Sequence, residues 1–328
     1  MNNSRRLIPA TALVAAALAL PALTACSGSS AAATGGDGKG GGKLRVTASF
    51  YPLEFLATRI GGSDVQVTDL TKPGVEPHDL ELAPRQIAAL QQADVIISLH
   101  GLQPAVDDAI GQSGVKNTVD AAALTRLEDH GTEVDGRRHT TGDNGTGGGS
   151  EEDAGSDPHI WLDPVRYAEV AKGVGKALAQ ADPAHSAAYA KNTDTLVARL
   201  GALDTEFRDG LKNRATDTFI TTHAAFGYLA ERYGLVEEAI NGIDPESEPS
   251  AGRMKALLDL AGREHVTTVF FETLVSDKTA RTVAGDLRLR TDVLDPIEGI
   301  TPMSRGTDYF AVQRANLQAL KTALGVPR

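Results

Sequence analysis

The sequence predicts an α/β protein of two lobes, each with a mostly parallel sheet flanked by helices, joined by one long rigid helix. Three observations carry this. Short β-rich runs alternate with helical periods along most of the chain, the pattern of parallel strands linked by crossovers. The part able to form a core runs from Lys43 to Arg328, enough residues for two lobes of ordinary size. One apolar-periodic segment is longer than a small lobe is wide.

The strands are expected at Leu44 to Ser49, Val65 to Leu70, Val95 to Leu99, Thr218 to Thr222, Val266 to Phe271 and Val293 to Leu294. Helices are expected at Glu54 to Ile60, Pro84 to Gln92, Val165 to Gln180, Ala225 to Tyr233 and Ser250 to Glu264. The long segment begins at Asp182-Pro183, an acceptor side chain followed by proline in the first turn. Tyr189, Leu196, Leu200, Leu203, Phe207 and Leu211 then recur at helical spacing to about Asn213. At 1.5 Å per residue such a helix is roughly 45 Å long. It divides the chain into an N-terminal lobe (43–181), a linking helix (182–213) and a C-terminal lobe (214–328).

The front of the chain is of another kind. Arg5 and Arg6 precede a run from Leu7 to Leu23 that is apolar apart from Thr11, and the run exits at Leu23-Thr24-Ala25-Cys26. A charged start, an apolar middle and small residues at the exit read as a secretory signal over 1–26. The exit resembles the lipobox of bacterial lipoproteins, in which the chain is cut before the cysteine and that cysteine is acylated. An ordinary signal with an incidental cysteine is the plainer alternative. Cys26 is the only cysteine, so no internal disulfide can form. Residues 27–42 hold only Gly, Ser, Ala, Thr, Lys and Asp and read as a flexible tether. The expected location is therefore the outer face of the cytoplasmic membrane, with the domain held there through lipid on Cys26.

Without the signal, 30 basic residues face 43 acidic ones. Such a balance argues against a nucleic-acid partner and suits cation handling. Residues 128–156 are rich in Gly and acids, with Val134 as the one aliphatic, and read as a mobile surface loop.

Of eight histidines, three stand where a ligand could be held. His78 lies in a Pro- and Gly-rich loop after the strand ending at Leu70. His159 lies in Asp157-Pro158-His159-Ile160-Trp161-Leu162-Asp163-Pro164. His223 follows Phe219 to Thr222 directly, at the carboxyl end of a strand, where ligands of open α/β sheets collect. Asp295 and Glu298 leave a later strand in the same way. Taken singly, a histidine is more often structural or solvated than a ligand, and no two here have the short spacing of a zinc finger or metalloprotease helix.

Read together, the motifs resemble a family. Ser49-Phe50-Tyr51-Pro52-Leu53, Gly74-Val75-Glu76-Pro77-His78-Asp79, the Asp157 to Pro164 stretch and Thr222-His223-Ala224-Ala225-Phe226-Gly227-Tyr228-Leu229 are similar, in order, to the signatures of the cluster A-I (zinc/manganese) solute receptors of ABC importers, zinc-type. The resemblance covers Lys43 to the end. It implies a metal site between the lobes, with His78 and His159 from the first lobe and His223 from the second. A fourth, carboxylate ligand would follow the last strand, Glu298 being favoured over Asp295. It also implies zinc as the transported ligand, a membrane permease as partner, a monomer, and no enzymatic activity. Manganese-binding members carry a carboxylate where His223 stands; three imidazoles and one carboxylate suit zinc, whereas oxygen-rich sets suit manganese. A manganese or iron receptor is the alternative within the family, and a zinc-dependent hydrolase the alternative outside it. An adhesin is encoded by nothing in these residues. His100 is expected beside the cleft, His185 and His265 on helical surface, and His130 and His139 in the acidic loop.

Overall fold

The computed structural model describes residues 42–130 and 157–327. The signal with Cys26, the tether up to residue 41, and residues 131–156 with His139 lie outside the described residues. From Lys43 onward the chain is one compact unit built on two four-stranded sheets.

The first sheet has the order β2-β1-β3-β4, from Val65–Asp69, Leu44–Ala48, Val95–Ser98 and Thr118–Asp120. The second has the order β6-β5-β7-β8, from Val236–Ala239, Thr218–Thr221, Thr268–Phe271 and Arg290–Val293. Every strand pair is parallel, so each neighbour is reached through a crossover on a sheet face. In the first lobe the crossovers are α1 (Tyr51–Gly61), α2 (Pro84–Gln92) and α3 (Pro104–Ser113). In the second they are α6 (Gly227–Tyr233), α7 (Ala251–Arg263) and α8 (Lys278–Leu287). Helix α4 (Pro164–Ala181) packs on the first sheet, α5 (Ser186–Gly210) links the lobes, and α9 (Tyr309–Ala323) follows the second sheet.

The helix starts follow local chemistry. Pro lies in the first turn of α1 to α4, where its missing N–H costs nothing. Asp163 caps α4 by accepting the Val165 N–H, and Asp308 caps α9 by accepting that of Ala311. The linking helix is shorter than the sequence suggests. Pro183–His185 form a separate 3-10 turn, because the Asp182 carboxylate accepts from His185 and Tyr189 instead of capping. Regular α-structure therefore begins at Ser186, and 25 residues remain, roughly 37 Å of helix.

One apolar core crosses both lobes. It runs from Val46, Phe50 and Leu56 through Tyr189, Leu196, Leu200 and Phe207 of α5 into Phe219, Phe270 and Leu294. Helix α9 belongs to it as much as α5 does. Tyr309 and Phe310 pack on Phe55 of α1 at ring distances of 5.6 and 5.9 Å. The Tyr309 hydroxyl donates to the Trp161 carbonyl, and Arg59 pairs with Asp308. Helix α9, counted in the expected C-terminal lobe (214–328), packs on both lobes: Thr267 donates to the Ala323 carbonyl and Asn316 to that of Asp295 on the second. Smaller clusters fill the outer faces: Leu70, Leu80, Leu90, Ile96 and Val106 on the first sheet, and Ile220, Leu257, Val269 and Val283 on the second.

Candidate metal centre

All four candidate residues sit on connections that leave strands at their carboxyl ends or enter helices. His78 is in the loop between β2 and α2, His223 follows β5, and Glu298 follows β8. His159 immediately precedes the 3-10 turn Ile160–Leu162 that leads into α4. The lobes face one another here, and the four side chains converge: one ligating atom from each lies within 4.8 Å of all the others. Glu298, His159 and His223 are buried, and the His78 side chain keeps 10 % exposure.

The distances have a chemical meaning. Glu298 Oε1 lies 3.5 Å from His78 Nε2, 3.3 Å from His159 Nε2 and 3.7 Å from His223 Nε2. None of these is a hydrogen bond of good geometry, and all three Nε2 atoms and both Glu298 oxygens lack a hydrogen-bond partner although buried. Zinc–ligand bonds of about 2.1 Å arranged as a tetrahedron put neighbouring ligand atoms about 3.4 Å apart. The three distances from Glu298 Oε1 lie close to that edge.

The rings are aimed from behind. His159 Nδ1 donates to Asp157 Oδ1 at 2.8 Å, and the same oxygen accepts the His159 backbone N–H. His223 Nδ1 donates to Glu272 Oε1 at 2.7 Å, and Thr222 Oγ1 donates to it too. Each bond fixes the tautomer that leaves Nε2 free for the centre. Burial works against charge on His159, but Asp157 and Glu298 outweigh it and raise its pKa to about 9. His223 is raised in the same way by Glu272 and Glu298. Burial likewise works against a Glu298 carboxylate, yet the three imidazoles hold its pKa well below the usual range. Asp157, between His130 and His159, is lowered to about 2 despite burial. His159 and His223 thus each stand between two carboxylates, Asp157 or Glu272 behind and Glu298 in front.

Glu298 owes its direction to an uncommon backbone. Ile297, buried and β-branched, has φ of 61°, the left-handed region that costs such residues roughly 1–2 kcal/mol. The loop is held there by Asp295 Oδ1, which accepts the Ile297 N–H at 2.8 Å, and by the Trp161 indole N–H, which donates to the Pro296 carbonyl. Asp295 is consequently spent on the loop. Its other oxygen accepts from Thr273, and it is absent from the converging group. Of the two carboxylates weighed from sequence, the structure brings Glu298 to the histidines and not Asp295.

The remaining histidines have other neighbours. His100 is exposed beside Asp107, and His185 pairs with Asp182. His265 is not helical, since it lies past the end of α7 with φ of 54°. Sequence reasoning did not single out Asp157 and Glu272 as partners. Asp157 lay inside a quoted motif, and Glu272 directly follows β7, the position that marked His223 after β5.

The family model described as "Zinc-uptake complex component A periplasmic" (ZnuA) matches residues 46–323. The chain belongs to this family. Among its relatives, a zinc-binding lipoprotein AdcA of Streptococcus pneumoniae is 32% identical over 286 residues, covering 85% of this chain and 56% of the relative. The high-affinity zinc uptake system protein ZnuA of Bacillus subtilis is 32% identical over 308 residues, covering 92% of this chain and 94% of the relative. The chain thus spans little more than half the length of the AdcA proteins and nearly all of the Bacillus ZnuA. Among solved structures, the Zn(II)-bound ZnuA-like domain of S. pneumoniae AdcA superposes with a TM-score of 0.69 at 29% identity, over 86% of this chain and 99% of that one. Two parallel-sheet lobes bridged by a long helix are therefore the ZnuA-family fold in this chain. Among the described residues no helix is long and apolar enough to cross a membrane.

Proposed function

We propose that this chain is an extracytoplasmic zinc receptor that captures the ion between its lobes with His78, His159, His223 and Glu298 and delivers it to the membrane permease of an ABC importer. The observation that carries the reading is the convergence of four buried, unpartnered donor atoms within 4.8 Å of one another, with Glu298 Oε1 3.3–3.7 Å from each imidazole Nε2, close to a zinc tetrahedron's edge. The uptake description of the family and the zinc-binding names of its relatives support the cargo. The donor set supports zinc over manganese, since His223 supplies nitrogen where an oxygen-rich site would need a carboxylate. A receptor is favoured over a hydrolase because Glu298 fills the fourth position, which a catalytic zinc keeps for water. Acylation of Cys26 would hold the domain at the outer face of the cytoplasmic membrane, since two or three acyl chains anchor a soluble domain durably. A monomer completes the reading.

Metal analysis of protein purified without added metal, followed by titration against a chelator, tests the proposal. One zinc per chain, bound more tightly than manganese, is expected. Preferential manganese binding, or no stoichiometric metal at all, would overturn it.

A further inference from the structure

His130 belongs by composition to the acidic loop, but the structure builds it into the protein. Its side chain is 13 % exposed, and both ring nitrogens are engaged. Nδ1 meets Asp157 Oδ2 at 2.8 Å, and Nε2 meets Glu231 Oε2 at 3.0 Å. A carboxylate on each side requires both nitrogens to donate. The ring also stands edge-on to Tyr228 with centroids 4.4 Å apart. The Tyr228 hydroxyl in turn accepts the Glu128 N–H and donates to the Asp157 carbonyl, while the Asp157 N–H donates to the Glu128 carbonyl. Glu231, Tyr228 and Gly227 all lie on α6 of the second lobe.

The seat is shaped for this ring. A Cβ added at Gly227 would stand 2.4 Å from His130 Cβ, 2.5 Å from its Cγ and 2.8 Å from Asp157 Oδ2. Glycine is thus the residue that lets His130 and Asp157 lie against the first turn of α6.

Asp157 therefore has two loaded oxygens. Oδ1 receives the ring and backbone N–H groups of His159, and Oδ2 receives His130. A carboxylate held at one oxygen only can swing about its terminal torsion, whereas one held at both has its plane fixed. A fixed plane gives His159 one ring orientation, with Nε2 towards the centre.

We propose that His130 is a positioning residue of the metal centre: by pinning Asp157 from the far side, with Glu231 of the second lobe behind it, His130 sets the orientation of the ligand His159. This rests on the zinc-receptor reading above. Outer partners of a ligating histidine typically change metal affinity 10–100-fold. His130 stands one bond further out, so its removal should cost about 5–30-fold in zinc affinity.

Asn and Gln separate the two contacts. The Asn amide nitrogen falls where Nδ1 of histidine lies, and the Gln nitrogen reaches towards the place of Nε2. His130→Asn keeps the bond to Asp157 and loses Glu231, and His130→Gln does the reverse. Zinc affinity and off-rate are measured by chelator competition on the full-length parent, His130→Ala, His130→Asn and His130→Gln, with thermal unfolding of each metal-free protein alongside. The His159 Nδ1–H resonance is followed by NMR with and without zinc. The expected result is a weakened Ala, a weakened Gln and an Asn within about threefold of the parent. The Nδ1–H signal should be protected in the parent and Asn and exchange-broadened in Ala and Gln, even without metal. Parent-like affinity in Ala, or a Gln that outperforms Asn, overturns the proposal. A parent that binds no zinc defeats the receptor reading itself. In that case the metal-free Nδ1–H signal still reports whether His130 orients the ring, and an unchanged signal in Ala defeats the positioning role as well.

Discussion

Asp69 closes β2, where the chain turns out of the first sheet towards the loop that carries His78. Its Oδ1 accepts the Thr71 N–H at 3.0 Å, yet burial, aided by the Glu54 carboxylate, pushes its pKa from 3.8 up to about 7. A folded-state pKa above the unfolded one means that the native protein carries this charge at a cost. The unfolded chain ionises near 3.8 and the folded chain near 7, so stability falls as pH rises through that window, and the full cost persists above it. At about 1.4 kcal/mol per pH unit the ceiling is about 4 kcal/mol. Asp69 keeps partial solvent contact, and halving for screening leaves about 2 kcal/mol. Asp69→Asn retains the oxygen for Thr71 and removes the charge. The metal-free variant should gain about 2 kcal/mol over the parent at pH 8 and less than about 1 kcal/mol at pH 5, read from urea unfolding midpoints at the two pH values. Zinc affinity should not move, because Asp69 touches none of the four converging residues. An equal offset at both pH values, or a loss at pH 8, refutes the reasoning.

Other expectations concern the site and the anchor. Glu298→Gln should weaken zinc by more than the 10–100-fold typical of an outer partner, whereas Asp295→Asn, which keeps an oxygen for the Ile297 N–H, should leave the dissociation constant within about threefold. Chelator competition with parallel melts separates the two, and the opposite assignment would make Asp295 the ligand. At position 297 the usual order of small residues should invert. Ile297→Gly and Ile297→Ala lose the same buried contacts, but glycine is at ease at positive φ and should be more stable by about 1 kcal/mol. An alanine variant as stable as glycine would show that the backbone there is unstrained. Cys26→Ala should abolish fatty-acid labelling and detergent partitioning; a variant that still labels would disprove the lipobox reading.

How much of this was legible follows from where residues lie in the sheets. Of the central strands, β3 (Val95 to Ser98) and β5 (Thr218 to Thr221) are buried end to end and β1 and β7 over most of their length, and their hydrophobicity announces them. Two edge strands, Thr118–Asp120 and Val236–Ala239, escaped because one side faces solvent and their residues read Thr-Val-Asp and Val-Glu-Glu-Ala. Edge strand β8, Arg290–Val293, was placed too late for the same reason. Helix α2 was found to the residue, since Pro84 marks its start. At the site, His78, His159 and His223 were legible through the motifs around them, and Glu298 through its place after the last strand. The partners that aim them were not. Glu272 is 49 residues from His223, and His130 is 101 from Glu231, and no local pattern encodes such pairings.

The reach of α9 bears on how the molecule comes into being. The Tyr309 backbone N–H donates to the Tyr51 hydroxyl, 258 residues earlier, and the Tyr309 ring lies 4.7 Å from that of Tyr167. During synthesis the first lobe is therefore complete in sequence long before it is complete in structure. Until Tyr309 and Phe310 arrive, Phe55 and Tyr167 lack the rings that cover them. Contacts of such long range close slowly, because the loop entropy must be met before they form. The two lobes consequently do not mature one after the other like beads. Helix α9 acts as the latch for both, and a chain cut before Tyr309 would be left without a finished half.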